Sequence, residues 1–268
     1  MGRLDGLIER VAAVVREVSE SAIEPRFTAL QDGDVEEKSA GEVVTVADRE
    51  AEALLTAHLE AILPGVPVVG EEGCAADPAR LAALDADWVW LVDPLDGTAN
   101  FVAGSPDWAV MVALVAGGTS VASWIWQPVA GRLYLAERGG GAYCNGSVLR
   151  SEPRPAEEGR LRGAILSRFF DPATTAAVAR NSGRFAEITS GCLCSGVEYP
   201  ALIEGIEDFV LFWRTLPWDH APGVLLLEEA GGIGRRPDGS PYRPGVAGVG
   251  LLVAADARTW NVARQLLG

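Results

Sequence analysis

Apolar residues near the start of the chain recur every three or four positions. From Leu4 to Val18 they alternate with charged residues in a way that predicts an amphipathic helix over residues 3–20. The run Thr45-Val46-Ala47-Asp48 then has the form of a capping box, and apolar residues at helical spacing follow it until Pro64-Gly65. Two helices are therefore predicted before the first clear strand.

Shorter apolar runs further along the chain are typical of strands. Residues 66–69 and 88–92 are β-prone, and each run is soon followed by acidic residues, Glu71-Glu72 and Asp93. Between residues 108 and 148, further β-prone stretches alternate with glycine-containing turns, which predicts an antiparallel meander. The first half of the chain is therefore expected to form a sheet whose strand ends deliver carboxylates.

The pattern changes after the polar, proline-containing residues 151–159. Strands and helices alternate from there, with strands predicted at residues 163–167, 185–189, 209–212 and 249–254, and helices at residues 172–180, 197–203, directly after Trp218-Asp219, and at 256–267. This order predicts an α/β half over residues 151–268, packed against an N-terminal α+β half over residues 1–150.

Charge and composition narrow the classes of partner. The formal net charge is -15, from 37 acidic and 22 basic residues, and no basic patch interrupts it, so neither nucleic acid nor an anionic membrane is an expected partner. No run resembles a signal peptide or is apolar enough to span a bilayer, so a cytoplasmic protein is expected. In that compartment the four scattered cysteines are expected to be reduced thiols.

The run Asp93-Pro94-Leu95-Asp96-Gly97 can bring two carboxylates to one small volume. Pro94 disfavours helix at Asp93 and Gly97 permits a close turn, so the two aspartates can converge. Carboxylates so close are costly unless they are protonated or bind a cation, and hard oxygen ligands suit Mg²⁺. A helix beginning at residues 97–101 would add free backbone amides for a phosphate. Taken alone, however, the run is equally compatible with a simple capped turn.

Two further acidic positions make a metal centre the better interpretation. Glu71 follows one predicted strand and Asp219 precedes a predicted helix. With the Asp93–Asp96 run, acidic residues therefore lie at the ends of three predicted elements. Each one alone could be an ordinary surface acid in an acid-rich protein. Together they predict a cation site, and the bound cations would supply the positive charge that an anionic phosphate substrate needs.

Motifs along nearly the whole chain resemble those of the inositol monophosphatase family of metal-dependent, lithium-sensitive phosphatases. They are Lys38 with residues 44–48, and then residues 70–72, 93–101, 139–146, 218–221 and 229–232. The resemblance implies a layered αβαβα sandwich, the sugar phosphatase fold. It also implies Mg²⁺-dependent hydrolysis of a small phosphate monoester, such as an inositol-1-phosphate-like compound or another polyol or sugar phosphate.

The resemblance also assigns roles to residues of this chain. It implies one Mg²⁺ held by Glu71, Asp93 and the Leu95 carbonyl, a second held by Asp93, Asp96 and Asp219, and a third, weaker ion near Glu71. The resemblance further implies that Glu71 and Thr98 orient the attacking water and that Asp48 supports Thr98. It implies that the amides of Gly97 and Thr98 bind phosphate and that Ser195 approaches the substrate. Lys38 and Glu72 would place their charges around the metal ligands. For Lys38, an ordinary solvated lysine is the alternative.

The resemblance is weakest where the substrate alcohol would bind. Inositol-specific members carry a glutamate seven residues before the aspartate of the Trp-Asp motif, and here that position is Phe212. Arg214 could supply the missing contact, meet a second anionic group, or be a surface or interface arginine. Residues 99–101 fit the inositol-like branch better than the bisphosphate nucleotidases. Histidinol phosphate, fructose 1,6-bisphosphate and nucleotide 3′-phosphates nevertheless stay open as substrates.

Two other functional classes compete with this interpretation. Haloacid dehalogenase-like phosphatases also carry Asp-Gly-Thr, but their paired aspartates are two residues apart, and their lysine lies beyond the motif, whereas Lys38 precedes it. A regulatory interaction protein built on the same scaffold is the second alternative, although such a protein has no need of four metal ligands. Family resemblance implies a homodimer.

Overall fold

The computed structural model describes residues 6–39, 41–152 and 155–268. Within these ranges the α-helices are α1 (Leu7–Val18), α2 (Val46–Ile62), α3 (Glu71–Ala76), α4 (Thr98–Val102), α5 (Pro172–Asn181), α6 (Ser195–Ile203), α7 (Pro217–Glu229) and α8 (Ala257–Leu267). The predicted start of the first helix at residue 3 lies outside the described residues. At its other end, α1 continues into a π-helical segment at Ser19–Ile23.

The strands begin earlier in the chain than the hydrophobic pattern predicted. They are β1 (Val35–Ser39), β2 (Glu42–Thr45), β3 (Val68–Gly70), β4 (Trp88–Asp96), β5 (Ala109–Ala116), β6 (Thr119–Gln127), β7 (Arg132–Glu137), β8 (Gly141–Cys144), β9 (Ser147–Leu149), β10 (Arg162–Leu166), β11 (Glu187–Thr189), β12 (Phe209–Phe212), β13 (Ile233–Arg235) and β14 (Leu251–Ala254). The expectation that two helices precede the first strand is therefore wrong. Antiparallel β1 and β2 lie between α1 and α2, and largely charged β1 lacks the apolar alternation that marks a half-buried strand.

The capping box predicted at Thr45 is present at the start of α2. The Thr45 hydroxyl accepts a hydrogen bond from the Ala47 amide at 3.1 Å, and the Asp48 carboxylate accepts one from the Thr45 amide at 2.8 Å. Two otherwise free donors are thereby satisfied. The cap also fixes the Asp48 side chain within the protein, where it is buried.

Apart from the β1-β2 pair, the strands of the first half form a sheet of seven strands in the order β3-β4-β5-β6-β7-β8-β9. The pairing of β3 with β4 is parallel, and every later pairing is antiparallel, so the predicted meander is confirmed. β4 does not end at residue 92 as predicted but runs on to Asp96 through an irregular segment.

The second half forms a five-stranded sheet in the order β11-β10-β12-β14-β13. β10 pairs in parallel with both β11 and β12, whereas β14 is antiparallel to both of its neighbours. β13 was not predicted, because a three-residue edge strand is too short to show a period.

Three hydrophobic clusters show how the layers stack. In the first, Leu55 of α2 and residues of α1 pack on one face of the seven-stranded sheet, together with Trp124. In the second, α6 and α7 fill the space between Met111 on the other face of that sheet and Val253 of the five-stranded sheet. In the third, Trp260 of α8 and the partly buried Val178 of α5 cover the outer face of the five-stranded sheet. The order is αβαβα, as the family resemblance implied.

Two further expectations concern cysteines and membranes. All four cysteines are free, as predicted. Among the described residues, no helix has both the length and the apolar character needed to cross a membrane.

Candidate metal centre

A bulge in β4 places Asp93 and Asp96 on one face of the sheet. Residues three apart on a regular strand point to opposite faces. Here Asp93 pairs with Met111 and Asp96 pairs with Ala109, so three steps along β4 match only two steps along β5. The extra residue restores the alternation, and both carboxylates face the side on which α6 and α7 pack.

Glu71 is held at the first position of α3, directly after β3 ends at Gly70. The start of α3 is fixed by Glu52 of α2, whose carboxylate accepts hydrogen bonds from the amides of Glu72 and Gly73, both at 2.7 Å. Glu52 is buried, and a side chain at position 70 would collide with its carboxylate. Glu52 therefore positions the turn that carries Glu71.

Asp219 reaches the same place from the second half of the chain. The predicted helix after Trp218-Asp219 in fact begins at Pro217, so Asp219 lies in the first turn of α7. Pro217 occupies the first helical position, where its missing N–H costs nothing. One carboxylate oxygen each of Glu71, Asp93 and Asp219 lies within 4.8 Å of the other two. Residues 71, 93 and 219 thus converge from α3, β4 and α7.

The electrostatics of this cluster favour a bound cation. The surrounding protein removes water from Asp93 and Asp219, and this burial, with repulsion from neighbouring carboxylates, raises the pKa of each well above its ordinary value. Burial also raises the pKa of Asp96 to about 7. A divalent cation would relieve this repulsion, and an all-carboxylate donor set with a carbonyl nearby suits Mg²⁺. The residues present therefore fit the metal that the sequence predicted.

Asp96 lies beside the cluster, and one of its oxygens is occupied by protein donors. The Gly196 amide donates a hydrogen bond to Asp96 Oδ2 at 2.6 Å, and the Cys194 thiol lies 3.3 Å from the same oxygen. No described residue donates a hydrogen bond to its other oxygen, and Asp96 lines the same pocket as Glu71, Asp93 and Asp219. The contact with Gly196 joins β4 to α6 across the two halves of the chain.

Thr98 and Asp48 are in direct contact, 50 residues apart in sequence. Thr98 Oγ1 lies 2.9 Å from Asp48 Oδ1 and 2.9 Å from the Leu95 carbonyl oxygen. The hydroxyl has one proton, so it donates to one of these acceptors at a time and keeps its lone pairs for another donor. Burial raises the pKa of Asp48, and hydrogen bonds from Thr45 and Thr98 oppose that rise.

Gly97 permits the sharp turn between β4 and α4. Its φ is 84°, a left-handed conformation that favours glycine, and a Cβ there would lie 2.7 Å from the Asp107 carbonyl oxygen. α4 begins at Thr98, so the helix start predicted within residues 97–101 is confirmed. Amides at a helix start lack intrahelical partners, and both Gly97 and Thr98 line the cavity.

Lys38, the single lysine of the chain, is an ion-pair partner within the site rather than a solvated residue. Its ammonium lies 3.0 Å from Glu71 Oε1 and also pairs closely with Glu72. Burial lowers the pKa of Lys38, but Glu71 and Glu72 outweigh that effect and the pKa is raised. Burial raises the pKa of Glu72 to about 7, against the opposing effect of Lys38.

The pocket above the acidic cluster has a volume of about 180 Å³ and two different ends. Its inner end, here called the metal end, is formed by Glu71, Asp93, Asp96 and Asp219. Its outer end, here called the rim, is formed by Glu42, Arg168, Phe169, Trp213 and Arg214. Between them lie the predicted Ser195, at the start of α6, and Phe212, whose ring stacks on Tyr199 with centroids 5.2 Å apart.

Buried His220 holds the part of the rim that contains Arg214. Its Nε2 lies 3.0 Å from the Arg214 carbonyl oxygen, and its Nδ1 lies 3.1 Å from the Tyr199 hydroxyl. Burial lowers the pKa of His220 to about 4, so the ring is neutral at pH 7. Because a carbonyl only accepts, Nε2 carries the proton and Nδ1 accepts from Tyr199.

The structure places four groups around the site that the sequence did not predict: Glu42, Glu52, Arg168 and Phe169. Glu52 lies one helical turn beyond Asp48 on the same face of α2, and that spacing was the available signal. Arg168 and Phe169 lie in a segment after β10 that matches no motif, so only the fold brings them to the pocket.

Comparison with known proteins agrees with this geometry. The sequence model of the inositol monophosphatase family matches residues 6–266. An inositol-1-monophosphatase of Rhizobium meliloti is 34% identical over 212 residues, covering 77% of this chain and 76% of the relative. A fructose-1,6-bisphosphatase/inositol-1-monophosphatase of Thermotoga maritima is 29% identical over 199 residues, covering 74% and 73%.

A solved structure supports the fold independently. The extragenic suppressor protein suhB of Bartonella henselae superposes with a TM-score of 0.80 at 24% identity, covering 100% of this chain and 98% of that one. The αβαβα layering and the acidic pocket thus agree with the family match over nearly the whole chain. The chain belongs to the inositol monophosphatase family of phosphoric monoester hydrolases.

Proposed function

We propose that this protein hydrolyses a small phosphate monoester with Mg²⁺ as its cofactor. The class includes inositol-1-phosphate-like compounds and other polyol or sugar phosphates. The observation that carries the proposal is the convergence of Glu71, Asp93 and Asp219, whose carboxylate oxygens lie within 4.8 Å of one another. A relative that is 34% identical is named as an inositol-1-monophosphatase, which supports the same reaction class.

Two Mg²⁺ ions would be held by the residues that the family resemblance assigns. Glu71, Asp93 and the Leu95 carbonyl would hold one ion, and Asp93, Asp96 and Asp219 the other, with a third, weaker ion near Glu71. When bound, Mg²⁺ activates water at neutral pH and neutralises the charge on the phosphate. Asp96 would contribute Oδ1, since the Gly196 amide donates to its Oδ2.

The protein's own groups would orient the attacking water. With its proton donated to Asp48, the Thr98 hydroxyl presents a lone pair that can accept a hydrogen bond from water. Glu71 supplies a second acceptor, and Lys38 holds its carboxylate from the other side. The amides of Gly97 and Thr98 would bind phosphate oxygens in line with this water, without a covalent intermediate.

The two halves of the chain complete the centre together. We assign residues 1–150 as the N-terminal α+β half with most metal ligands, and residues 151–268 as the C-terminal α/β half that adds Asp219. Ser195 and Arg214 in the second half would contact the substrate. The proposal extends to a cytoplasmic homodimer that binds neither nucleic acid nor membrane, in keeping with the family resemblance and the net charge of -15.

Metal-dependent turnover tests the reaction class directly. Purified protein, freed of metal with EDTA, is assayed with p-nitrophenyl phosphate and a panel of phosphate monoesters while Mg²⁺ is titrated back. We expect activity to appear with Mg²⁺ and to fall with added Li⁺. Absence of turnover across the whole panel would refute the enzyme proposal. Acid quenching with ³²P-labelled substrate should trap no phosphoprotein, since a trapped aspartyl phosphate would indicate the haloacid dehalogenase-like mechanism.

A further inference from the structure

Two arginines and an aromatic ring occupy the rim, where the alcohol part of a substrate would lie. The guanidinium carbon of Arg214 lies 4.3 Å from the centre of the Phe169 ring, and that of Arg168 lies 5.1 Å from the same centre. Both guanidinium groups therefore lie against the Phe169 ring, and all three side chains line the pocket that contains the proposed metal ligands. Stacking on an aromatic ring fixes the plane of a guanidinium group, and a guanidinium has five N–H donors, so a contact with one partner leaves it able to bind another.

The hydrogen-bonding character of the rim is one-sided. A guanidinium only donates, and the side chains of Phe169, Phe212 and Leu193, which also line the pocket, offer no acceptor. The carboxylate of Glu42 is the acceptor nearest to Arg214, but it is already engaged by Arg214 and by the Ser39 hydroxyl at 2.8 Å. A neutral polyol, whose hydroxyls need acceptors as well as donors, is poorly matched to such a wall.

The charge of the rim is positive despite the strong acidity of the whole chain. Arg168 and Arg214 contribute two positive charges, and Glu42 contributes one negative charge. On the inner side lie the proposed metal ligands, whose negative charge Mg²⁺ would offset when bound. An anionic group entering the outer pocket therefore meets a net positive surface.

We propose that the physiological substrate carries a second anionic group, which binds to Arg168 and Arg214 while its phosphate monoester is hydrolysed at the metal end. This inference rests on the proposed phosphatase function and names its substrate class. A second phosphate and a carboxylate share the required chemistry, because both accept paired hydrogen bonds from guanidinium groups.

The inference separates the substrates that the sequence left open. Fructose 1,6-bisphosphate and nucleotides with two phosphates carry the required second anion. Inositol 1-phosphate presents only hydroxyls to the rim. Histidinol phosphate brings an ammonium group toward two guanidinium groups, which is repulsive. Bisphosphates should therefore rank first and histidinol phosphate last.

Matched substrate pairs provide the test. Fructose 1,6-bisphosphate is compared with fructose 1-phosphate, which lacks the second phosphate, and 3-phosphoglycerate is compared with glycerol 3-phosphate, which lacks the carboxylate. We expect kcat/KM to be about tenfold or more higher for the member with two anionic groups in at least one pair, mainly through KM. The pair with the larger ratio identifies phosphate or carboxylate as the second group.

Charge variants at the rim should move this ratio in opposite directions. Arg168→Gln and Arg214→Gln should each lower it about tenfold, as expected for the loss of one charge-assisted contact. Glu42→Gln removes a competing carboxylate from Arg214 and should raise the ratio. Arg258→Gln, which removes the same charge from an exposed position on α8, is the matched control and should leave the ratio unchanged.

The outcomes distinguish this inference from the function on which it rests. If no substrate is turned over with Mg²⁺, the proposed function fails. If turnover is seen but both ratios are near one, or if inositol 1-phosphate is the best substrate, the inference is overturned and the phosphatase function stands. The inference would also be overturned if Arg168→Gln and Arg214→Gln changed the kcat/KM ratio of the matched pairs no more than Arg258→Gln does.

Discussion

The metal end and the rim of the pocket lie within one small cavity but are built in different ways. The metal end consists of carboxylates on a strand, a helix start and a helix first turn, and each is fixed by backbone pairing or hydrogen bonds. The rim consists of exposed or half-exposed side chains, mostly on the segments after β10 and β12. One end belongs to the rigid framework, and the other belongs to connecting segments.

The two ends of the pocket are expected to have different roles, the metal end in the reaction and the rim in the choice of substrate. Carboxylates that repel one another at the metal end must be protonated or bind a cation, so this end suits metal-dependent phosphate chemistry. The rim can change without disturbing that framework, because loops tolerate substitution better than the elements they join. Changes at the metal end should affect every substrate alike, whereas changes at the rim should alter the order of preference.

The largest expected effect is that of Asp93→Asn. This variant removes the carboxylate assigned to both metal ions, so kcat/KM should fall about 10³-fold or more for every substrate of the panel. In EDTA the same variant should melt at a higher temperature than the wild type, because a buried charge that repels its neighbours is gone. Scanning calorimetry with and without Mg²⁺ measures this. Near-wild-type turnover would refute the assignment of Asp93 as a metal ligand.

Thr98→Val is expected to have the next largest effect. It replaces the hydroxyl that contacts Asp48 with a methyl group of similar size, so kcat should fall about 10²-fold while KM changes little. Thr98→Ser keeps the hydroxyl and serves as the control, with most of the activity retained. If the valine variant lowers activity for one substrate class only, Thr98 acts with the rim in substrate choice and not with the metal end.

Glu52→Gln should have a smaller effect that acts through Glu71. The two oxygens of Glu52 each accept from one amide, of Glu72 or Gly73, so glutamine must present its NH₂ group to one of these donors and the start of α3 should shift. We expect the Mg²⁺ concentration for half-maximal activity to rise about tenfold, as for other residues that orient metal ligands. Mg²⁺ titration by calorimetry gives the same quantity without turnover.

A control variant on the same helix separates this effect from a general loss of stability. Glu60→Gln changes an exposed glutamate of α2 and should leave both the melting temperature and Mg²⁺ affinity unaltered. If Glu52→Gln lowers the melting temperature but leaves Mg²⁺ affinity as in the wild type, Glu52 stabilises the fold and does not position the metal ligand.

The smallest expected effect is on the pH dependence of stability. Burial raises the pKa of Asp96 from its ordinary value of 3.8 to about 7, and those of Asp93 and Asp219 also rise. Between pH 4 and 7 the folded protein without metal therefore binds more protons than the unfolded chain, so its stability falls as pH rises. Melting in EDTA should be several degrees lower at pH 8 than at pH 5, and saturating Mg²⁺ should remove much of that difference. If the protein without metal became more stable from pH 5 to pH 8, the raised pKa values of these carboxylates would be contradicted.

Much of the fold could be predicted from local pattern. The period of apolar residues predicted α2, the meander from β5 to β9 and most of the second half, because burial on one face imposes a period of two or 3.6 residues. The predictions failed at β1, β2 and β13, which are short or charged and lack such a face. The boundary of β4 was also misplaced, since the bulge that carries Asp96 has no signature in a single sequence.

The residues of the candidate site also divide into those that a local motif predicts and those that only the fold brings to the pocket. Asp93, Asp96, Thr98, Glu71 and Asp219 were named from motifs because short runs of sequence carry them. Glu52, Arg168 and Phe169 were not named, since their importance comes from contacts with residues distant in sequence.

The family, the reaction class and the acidic residues could be inferred from the amino-acid sequence, since metal chemistry demands particular side chains in particular local runs. The pairing of Lys38 with Glu71 and Glu72, the contact of Glu52 with the start of α3, and the meeting of Arg168 and Arg214 at the rim come from the folded structure. The physical reason is that pairing and electrostatic potential depend on distances between segments, and chain folding sets those distances. The motif at residues 93–98 indicates the chemistry, and we assign substrate selectivity to the rim that the fold assembles around it.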